Sequence, residues 1–528
     1  MPALAYPLTD DVEYITWTRI RDQFASEEYS MWGDGDIEPD DAIQGQLGNC
    51  WLHVAAMSIA EDPQRIKDIM LVDEKNTAGV YAAQMYMLGL PVTVVVDDYL
   101  PLTKDWSGKV ETIYAQIGED QALWGTIYEK VFAKYLGNYE AIDAGLGSHG
   151  IESTIGSPFD EWNHEQVLQM NRSNRLWEAI VEKDAEGAMI TAGSYGGSNQ
   201  DKNSVGIPNN HAFSIMYPLT VTDDRGKLHR LVCIRNPWGQ EYFNGDWSDS
   251  SSLWTDDLRE QADHYSANDG KFFMDFNDYV KYMEYTDFNR DISGLKKSTF
   301  AVFGDDQPIN RQRVFFEDPT EYNVHNIKIY SYEAQRVSLS AFSYHFKQYH
   351  GACLQSPDQT EVLIQKPGGR ILYPVWPGSF HDDFMDVPAG EFDVNIYTRF
   401  GDNDLLPHDW SLVVWAEKSE VEITHSKGLR SGAFRDLKRN EDISTPTNFS
   451  GEETNVVEEE EDFSKKLTYS LETEIDGDQY IFNERVIQKT DVNEVMFAMM
   501  LNGKTAAQGA FTATVSDLGR SLTVIFGE

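Results

Sequence analysis

Cysteine is scarce: Cys50, Cys233 and Cys353 are the only three in 528 residues. They are odd in number, far apart and without a C-x-x-C pair, which excludes a disulfide framework and a cysteine-rich zinc site. Positive charge is scarce too, with 43 Lys and Arg against 87 Asp and Glu, a net charge of −44. A field of that sign repels phosphate backbones and argues against nucleic acid and anionic membrane as partners. It suits basic partners or divalent cations, and it serves solubility equally well. The first residues, MPALAYPLTDDVEY, show neither a basic n-region nor an apolar h-region. The most apolar stretch, 79–96, contains Gln84, Gly89 and Pro91 and runs into Asp97 and Asp98, so it reads as two buried strands joined by a turn, not a membrane span. A cytoplasmic, soluble chain is expected.

What is present is ample core material, 41% hydrophobic and 12% aromatic residues, which excludes wholesale disorder. At roughly 100–200 residues per domain the length calls for several domains. The first 150 residues read mainly helical. CWLHVAAMSIA (50–60) is an apolar helical run, and 120–136 places Leu123, Ile127, Val131 and Tyr135 on one face. Residues 188–280 alternate instead, in AMITAG, HAFSIMY, HRLVCIRNPW and KFFMDF. From about residue 297 period-two segments recur at 326–332, 336–342, 361–365, 370–376, 391–397 and 411–416, with turn signals at Pro367-Gly368-Gly369 and Gly401-Asp402-Asn403. They argue for an antiparallel sandwich. Residues 426–465 are polar and end in the acid run 458–462, a linker pattern with docking to a basic partner as the alternative; the last sixty-odd residues alternate again.

Cys50 opens the apolar helix behind a glycine-containing loop, Gln44-Gly45-Gln46-Leu47-Gly48-Asn49. A helix N-terminus offers unsatisfied N–H groups and a positive dipole end, which favour a thiolate. Gln44, on the same loop, is a candidate donor to an oxyanion forming beside Cys50. A thiolate nucleophile needs an imidazole to share its proton, and the imidazole needs an orienting group. His211 opens the strand-like run NHAFSIMY and Asn236 ends another, CIRNPWG, with Trp238 placed to keep water off their contact. Neighbouring strands of one sheet would join His211 to Asn236, with Cys50 facing them across a cleft between lobes.

These segments, QGQLGNCW, NHAFSIMY and CIRNPWG followed by GDWSDSS, resemble the calpain family of cysteine proteases. The resemblance continues through VVVDDYLP (94–101), LWGTIYEKVFAKYLGNYEAI (123–142) and DGKFFMDFNDYVKY (269–282), over roughly residues 30–290. It implies an α+β fold: a papain-like two-lobe core with a helical lobe (1–145) and a β-rich lobe (146–296), then a calpain-type β-sandwich (297–425), an acidic linker (426–465) and a small β-rich C-terminal module (466–528). By resemblance Cys50 is the nucleophile, His211 the general base and acid, Asn236 the orienter and Gln44 the oxyanion donor. Protein substrates follow, with no cofactor needed for the chemistry. The C-terminal β modules are candidate surfaces for an assembly partner, and a calpain-fold scaffold with little or no proteolysis is the competing function.

The family's protease lobes carry calcium sites that close the cleft. Asp41 in the first lobe and Asp249 and Asp269 in the second keep ligand positions, but His149, Tyr242 and Lys271 stand where glutamates are expected. A histidine, a phenol and an ammonium make poor calcium ligands, and no EF-hand loop pattern follows Asp476-Gly477-Asp478. Lobe closure is therefore expected not to depend on calcium. Asn49 replaces the family's aspartate before the cysteine and is expected to offer a side-chain oxygen to the helix start, and Asn210 replaces its glycine before the histidine. Four smaller features read as structural. Gly145-Leu146-Gly147-Ser148-His149-Gly150 matches G-x-G-x-x-G but lacks the strand and helix a dinucleotide site needs, so an interlobe hinge or loop is expected. His53 reads as helix packing, Cys233 as core, and Asn448-Phe449-Ser450 as an unused sequon.

Overall fold

The computed structural model describes residues 16–302 except 24–28, 34, 73, 77, 105–109, 119, 199–200 and 268, the strands and some flanking residues between 311 and 425, and short strand segments between 468 and 526. The 426–465 linker, Cys353, Asn448 and the turns at 367–369 and 401–403 lie outside the described residues.

The first lobe is built around helix α1 (Cys50–Ala60), in which every residue from Trp51 onward is buried. A helix apolar on all sides belongs at the centre of a core. It ends where Asp62 caps the next helix, Pro63–Ile69, through a bond from Gln64 N, with Pro63 in the first turn. Helix α2 (Trp124–Leu136) packs beside α1 and stops at Gly137, whose φ of 112° a side chain would resist. The apolar stretch after residue 79 forms a hairpin of β1 (Val80–Met87) and β2 (Leu90–Asp97), paired from Val80 with Asp97 to Met87 with Leu90. Its two turn residues, Leu88 and Gly89, both have positive φ (53° and 66°), the geometry that matches strand twist in a two-residue turn.

Helix α3 (Gly147–Ile155) corrects the hinge expected at 145–150: the helix opens at Gly147 itself. The glycines serve close packing. A Cβ on Gly145 would sit 2.5 Å from the Trp51 ring, one on Gly147 2.9 Å from Thr191 Oγ1, and one on Gly150 2.6 Å from Ala55 Cβ. The run lets α3 lie flat on α1 and on the second lobe at once.

The second lobe is a six-stranded antiparallel sheet. Its strands are β3 (Phe159–Asn163), β4 (Met189–Ser194), β5 (Ala212–Thr222), β6 (Leu228–Arg235), β7 (Lys271–Asp275) and β8 (Met283–Asn289), in spatial order β7-β6-β5-β4-β8-β3. The register of Ser214 with Arg235 brings the entry to β5 beside the exit of β6. Helix α1 docks on this sheet: Met189 and Ala212 join its core, and the Ser58 and Ser214 hydroxyls lie 2.7 Å apart.

Beyond residue 295 two antiparallel sheets share one core that includes Phe300, Leu339, Leu412 and Val414 from one and Ile327, Ile329, Val394 and Ile396 from the other. Strands Lys296–Val302 and Val421–His425 belong to these sheets and were not read from the sequence. The hairpin tip of the first lobe plugs into the first of these sheets. Leu88 packs with Phe342, Val413 and Trp415, Ser411 Oγ donates to Leu88 O at 2.5 Å, and Lys297 Nζ donates to Gly89 O.

Candidate active site

Cys50 is the first residue of α1 and half-buried. Its sulfur faces the backbone N–H groups of Cys50 and Trp51 and of Ala212, the residue after His211. Burial nevertheless dominates and pushes the thiol above its ordinary range, against the dipole effect expected from the sequence. His211 is held by Ser194: its N–H donates to Ser194 Oγ at 3.1 Å and its carbonyl accepts from Ser194 N at 2.9 Å. Ser194 carried no sequence signal, because its role is made by strand pairing.

His211 Nε2 donates to Asn236 Oδ1 at 2.8 Å, which fixes the tautomer and leaves Nδ1 as a buried lone pair without a hydrogen-bond partner. Asn236 is held in turn by Nδ2 donating to Gln240 O at 2.9 Å, and its Oδ1 accepts also from Trp238 N at 3.2 Å. The Trp238 ring lies 4.1 Å from the imidazole, centroid to centroid, and excludes water from the contact. Burial lowers the His211 pKa to about 4, with the bond to Asn236 acting in the opposite direction. Asn210 has a φ of 46°, in the left-handed region that glycine favours and asparagine tolerates, and its N–H donates to Tyr195 O at 2.8 Å.

The Gln44 amide donates to Leu47 O at 2.7 Å through Nε2, while its Oε1 is buried and unpartnered; a primary amide keeps a second hydrogen for a ligand. Asn49 departs from its expected role. It occupies the cap position of α1 but makes no side-chain cap bond, and its Nδ2 donates to Glu129 Oε1 at 2.7 Å. Glu129, buried in α2, also accepts from Ala115 N at 2.9 Å and lies 3.4 Å from His53 Nε2. This buried carboxylate ties α1 to α2 directly beneath Cys50.

Residues 3–289, over half the chain, match the family described as calpain family cysteine protease. The chain belongs to the calpain family. The matched domain, residues 3–289, is of the calpain cysteine protease type. The calpain-type cysteine protease DEK1 of Arabidopsis thaliana is 35% identical over 249 residues, 46% of this chain and 11% of that protein. The calpain-2 catalytic subunit of Bos taurus is 31% identical over 254 residues, 47% of this chain and 35% of that protein. The chain thus matches about a tenth and about a third of these relatives' lengths. Among solved structures, SERA5E from Plasmodium falciparum covers 49% of this chain and 92% of its own at 9% identity with a TM-score of 0.22, too low to build on.

The residues at the candidate calcium positions make contacts within the protein. Asp41 Oδ2 accepts from Glu38 N at 3.0 Å and from Trp124 Nε1 at 2.8 Å, and burial with repulsion from Asp120 lifts its carboxyl to about 6. His149 is buried in α3 with its pKa lowered to about 4 by desolvation, its ring against Phe159. In the second lobe Asp249 Oδ2 accepts from Ala267 N and Asp269 Oδ1 from Lys271 N, while the Lys202 ammonium covers the Tyr242 ring at 3.2 Å. Among the described residues no three His, Cys, Asp or Glu side chains converge in metal-holding geometry. Nor, among the described residues, is any helix long and apolar enough to cross a membrane.

Glu241 is an acid the sequence reading passed over in favour of Tyr242. Its Oε1 accepts from Asp249 N at 3.2 Å, and burial first, then repulsion from Asp249 and Asp269, raises its carboxyl to about 7. An unfolded glutamate ionises through about 4.5, so the folded form binds the extra proton between about 4.5 and 7 and loses stability as pH rises through that window. The penalty, discounted for solvent screening, is about 1 kcal/mol. Glu241→Gln is expected to raise Tm by about 2–4 °C at pH 8 and to leave it unchanged at pH 4.5, read by paired thermal melts. Equal shifts at both pH values would exclude ionisation as the cause.

Proposed function

We propose that this chain is an active, cytoplasmic calpain-like endopeptidase that makes limited cuts in protein substrates through Cys50, His211 and Asn236, without calcium for lobe closure. The domain limits given above, with residues 297–425 as a calpain-type β-sandwich, are part of the same reading. The observation that carries it is the His211–Asn236 bond, which commits Nε2 and leaves Nδ1 as the free base beside the residue whose N–H faces the Cys50 sulfur.

The Cys50 proton is taken by His211 Nδ1, and the sulfur attacks the scissile carbonyl carbon. The developing oxyanion is met by backbone N–H at the start of α1 and by the free hydrogen of the Gln44 amide. Collapse breaks the C–N bond, the imidazolium protonates the leaving amine, and a thioester on Cys50 remains. Water then gives a proton to His211 Nδ1 as its oxygen attacks the acyl carbon; collapse breaks the C–S bond, releases the carboxylic acid, and the imidazolium returns its proton to the sulfur. Asn236 keeps the imidazole in the tautomer that both steps require.

The test is casein cleavage by wild type and Cys50→Ala, each with calcium and with chelator. Wild type is expected to cleave at the same rate in both buffers, and the variant to lose at least about 10⁴-fold. A calcium-dependent rate would overturn the calcium-free closure. Absence of cleavage in either buffer would favour the scaffold function.

A further inference from the structure

At the catalytic edge the lobes are joined by two polar links that flank Asn236 on both sides. Arg235, the last residue of β6, reaches across with Nη1 2.7 Å from Asp40 Oδ1. Pro237 O accepts from Gln44 N at 3.2 Å. Arg235, Asn236 and Pro237 are consecutive, and Asp40 and Gln44 belong to one segment leading to Cys50. The Arg235 side chain is 6% exposed, and its Nη2 also donates to Asp269 O at 3.1 Å; Asp40 is 51% exposed.

We propose that Arg235 and Asp40 form an interlobe clasp that positions Asn236 against His211 and sets the Gln44 loop beside Cys50. This rests on the protease reading above. The guanidinium spans the turn Pro39–Asp41 of the first lobe and residue 269 of the second, so a fixed positive charge joins the segments that carry Asp41 and Asp269. A buried guanidinium deprived of its anion is costly, and planar two-armed donation to a carboxylate and a carbonyl sets distance and angle together. Arg235 and Asp40 are positioning residues: neither lies on the reacting atoms, and both act through Asn236 and Gln44.

The test compares wild type, Asp40→Ala and Asp40→Lys. Asp40 is half-exposed at the surface, so these variants are expected to fold. Hydrogen exchange is measured for a peptide containing Gln44, with kcat and KM for a fluorogenic peptide and Tm. Loosening of the clasp is expected to speed exchange in that peptide and raise KM about tenfold in Asp40→Ala, more in Asp40→Lys, with kcat within about twofold because substrate selects the joined form. Salt at 1 M is expected to move wild type in the same direction and to leave Asp40→Ala unmoved. Unchanged exchange and KM in both variants would overturn the clasp. So would faster exchange throughout the second lobe with a fallen Tm, which would make the pair an ordinary stability contact. If wild type cleaves nothing, the protease reading fails by itself, and exchange at Gln44 with the rate of Cys50 alkylation by iodoacetamide still decides the clasp.

Discussion

Gly45→Ala is expected to cut peptide hydrolysis about 100-fold or more while the protein stays folded. A Cβ at residue 45 would lie 1.8 Å from Tyr114 O, 2.4 Å from Tyr114 C and 2.7 Å from Ile113 O. All three are backbone atoms, so no side chain can turn aside to relieve the clash. The segment they belong to cannot retreat either. Ile113 and Tyr114 are buried, Gln46 N donates to Ile113 O at 2.9 Å, Gln116 N donates to Ile43 O at 3.0 Å, and the Tyr114 ring stacks on Tyr139 at 4.4 Å. The loop itself must therefore move, by an ångström or more, and Gln44 moves with it. Overpacking of this kind costs about 1–3 kcal/mol, which a chain of this size survives. Displacement of the Gln44 amide from the site of charge development falls mainly on kcat. The measurement is kcat and KM for a fluorogenic peptide alongside alkylation of Cys50 by iodoacetamide, which needs the thiol but no oxyanion donor. Alkylation near the wild-type rate with kcat down about 100-fold is the expected pattern; hydrolysis within threefold of wild type would remove the loop from the mechanism.

Much of the fold was legible because its signals are local. The helix at 50–60, the helix face through Ile127 and Val131, and the strands from 188 onward follow from periodicity alone, and the structure has α1, α2 and β4–β7 there. The hairpin at 80–97 was legible from Gly89 and Pro91 inside an apolar run. What was missed depends on contacts distant in sequence. The glycines at 145, 147 and 150 looked like a hinge because glycine signals freedom, yet here each answers a neighbour pressing from α1 or β4. Strand Lys296–Val302 starts with two lysines, and Lys297 is spent on the hairpin tip and on the Trp415 ring, so charge masked the alternation. Of the site residues, Cys50, His211 and Asn236 were marked by their places at the ends of elements. Arg235, Ser194 and Glu129 were invisible, since their partners Asp40, His211 and Asn49 lie far along the chain. One clue to Glu129 was available: an acid on a helix among Ile127, Tyr128, Val131 and Phe132, where only a paired carboxylate can be buried.

Glu129→Ala is expected to destabilise the first lobe strongly. The carboxylate is 1% exposed and serves three groups: Asn49 Nδ2 at 2.7 Å, Ala115 N at 2.9 Å and His53 Nε2 at 3.4 Å. Truncation strands a buried amide, a buried backbone N–H and a buried imidazole, and leaves a void between α1 and α2. Each orphaned donor costs about 1–3 kcal/mol, so a total of about 3–5 kcal/mol is expected after relaxation. Glu129→Gln separates charge from hydrogen bonding. Asn49 Oδ1 has no partner in the wild type, so a flip of the asparagine amide would present that oxygen to the introduced amide nitrogen, while the introduced amide oxygen still accepts from Ala115 N. A loss of only about 1 kcal/mol is expected for this variant, chiefly from the weakened tie to His53. Urea unfolding of the three proteins measures the ranking. If the glutamine variant proves as damaging as the alanine one, the hydrogen bonds to Asn49 and Ala115 are not what holds α1 to α2. Because Cys50 begins the turn that Asn49 and His53 anchor, loosening here also reaches the proposed nucleophile. Residual cleavage by folded Glu129→Ala is therefore expected to fall further than the folded fraction does, which activity per mole of native protein, measured in the cold, would reveal.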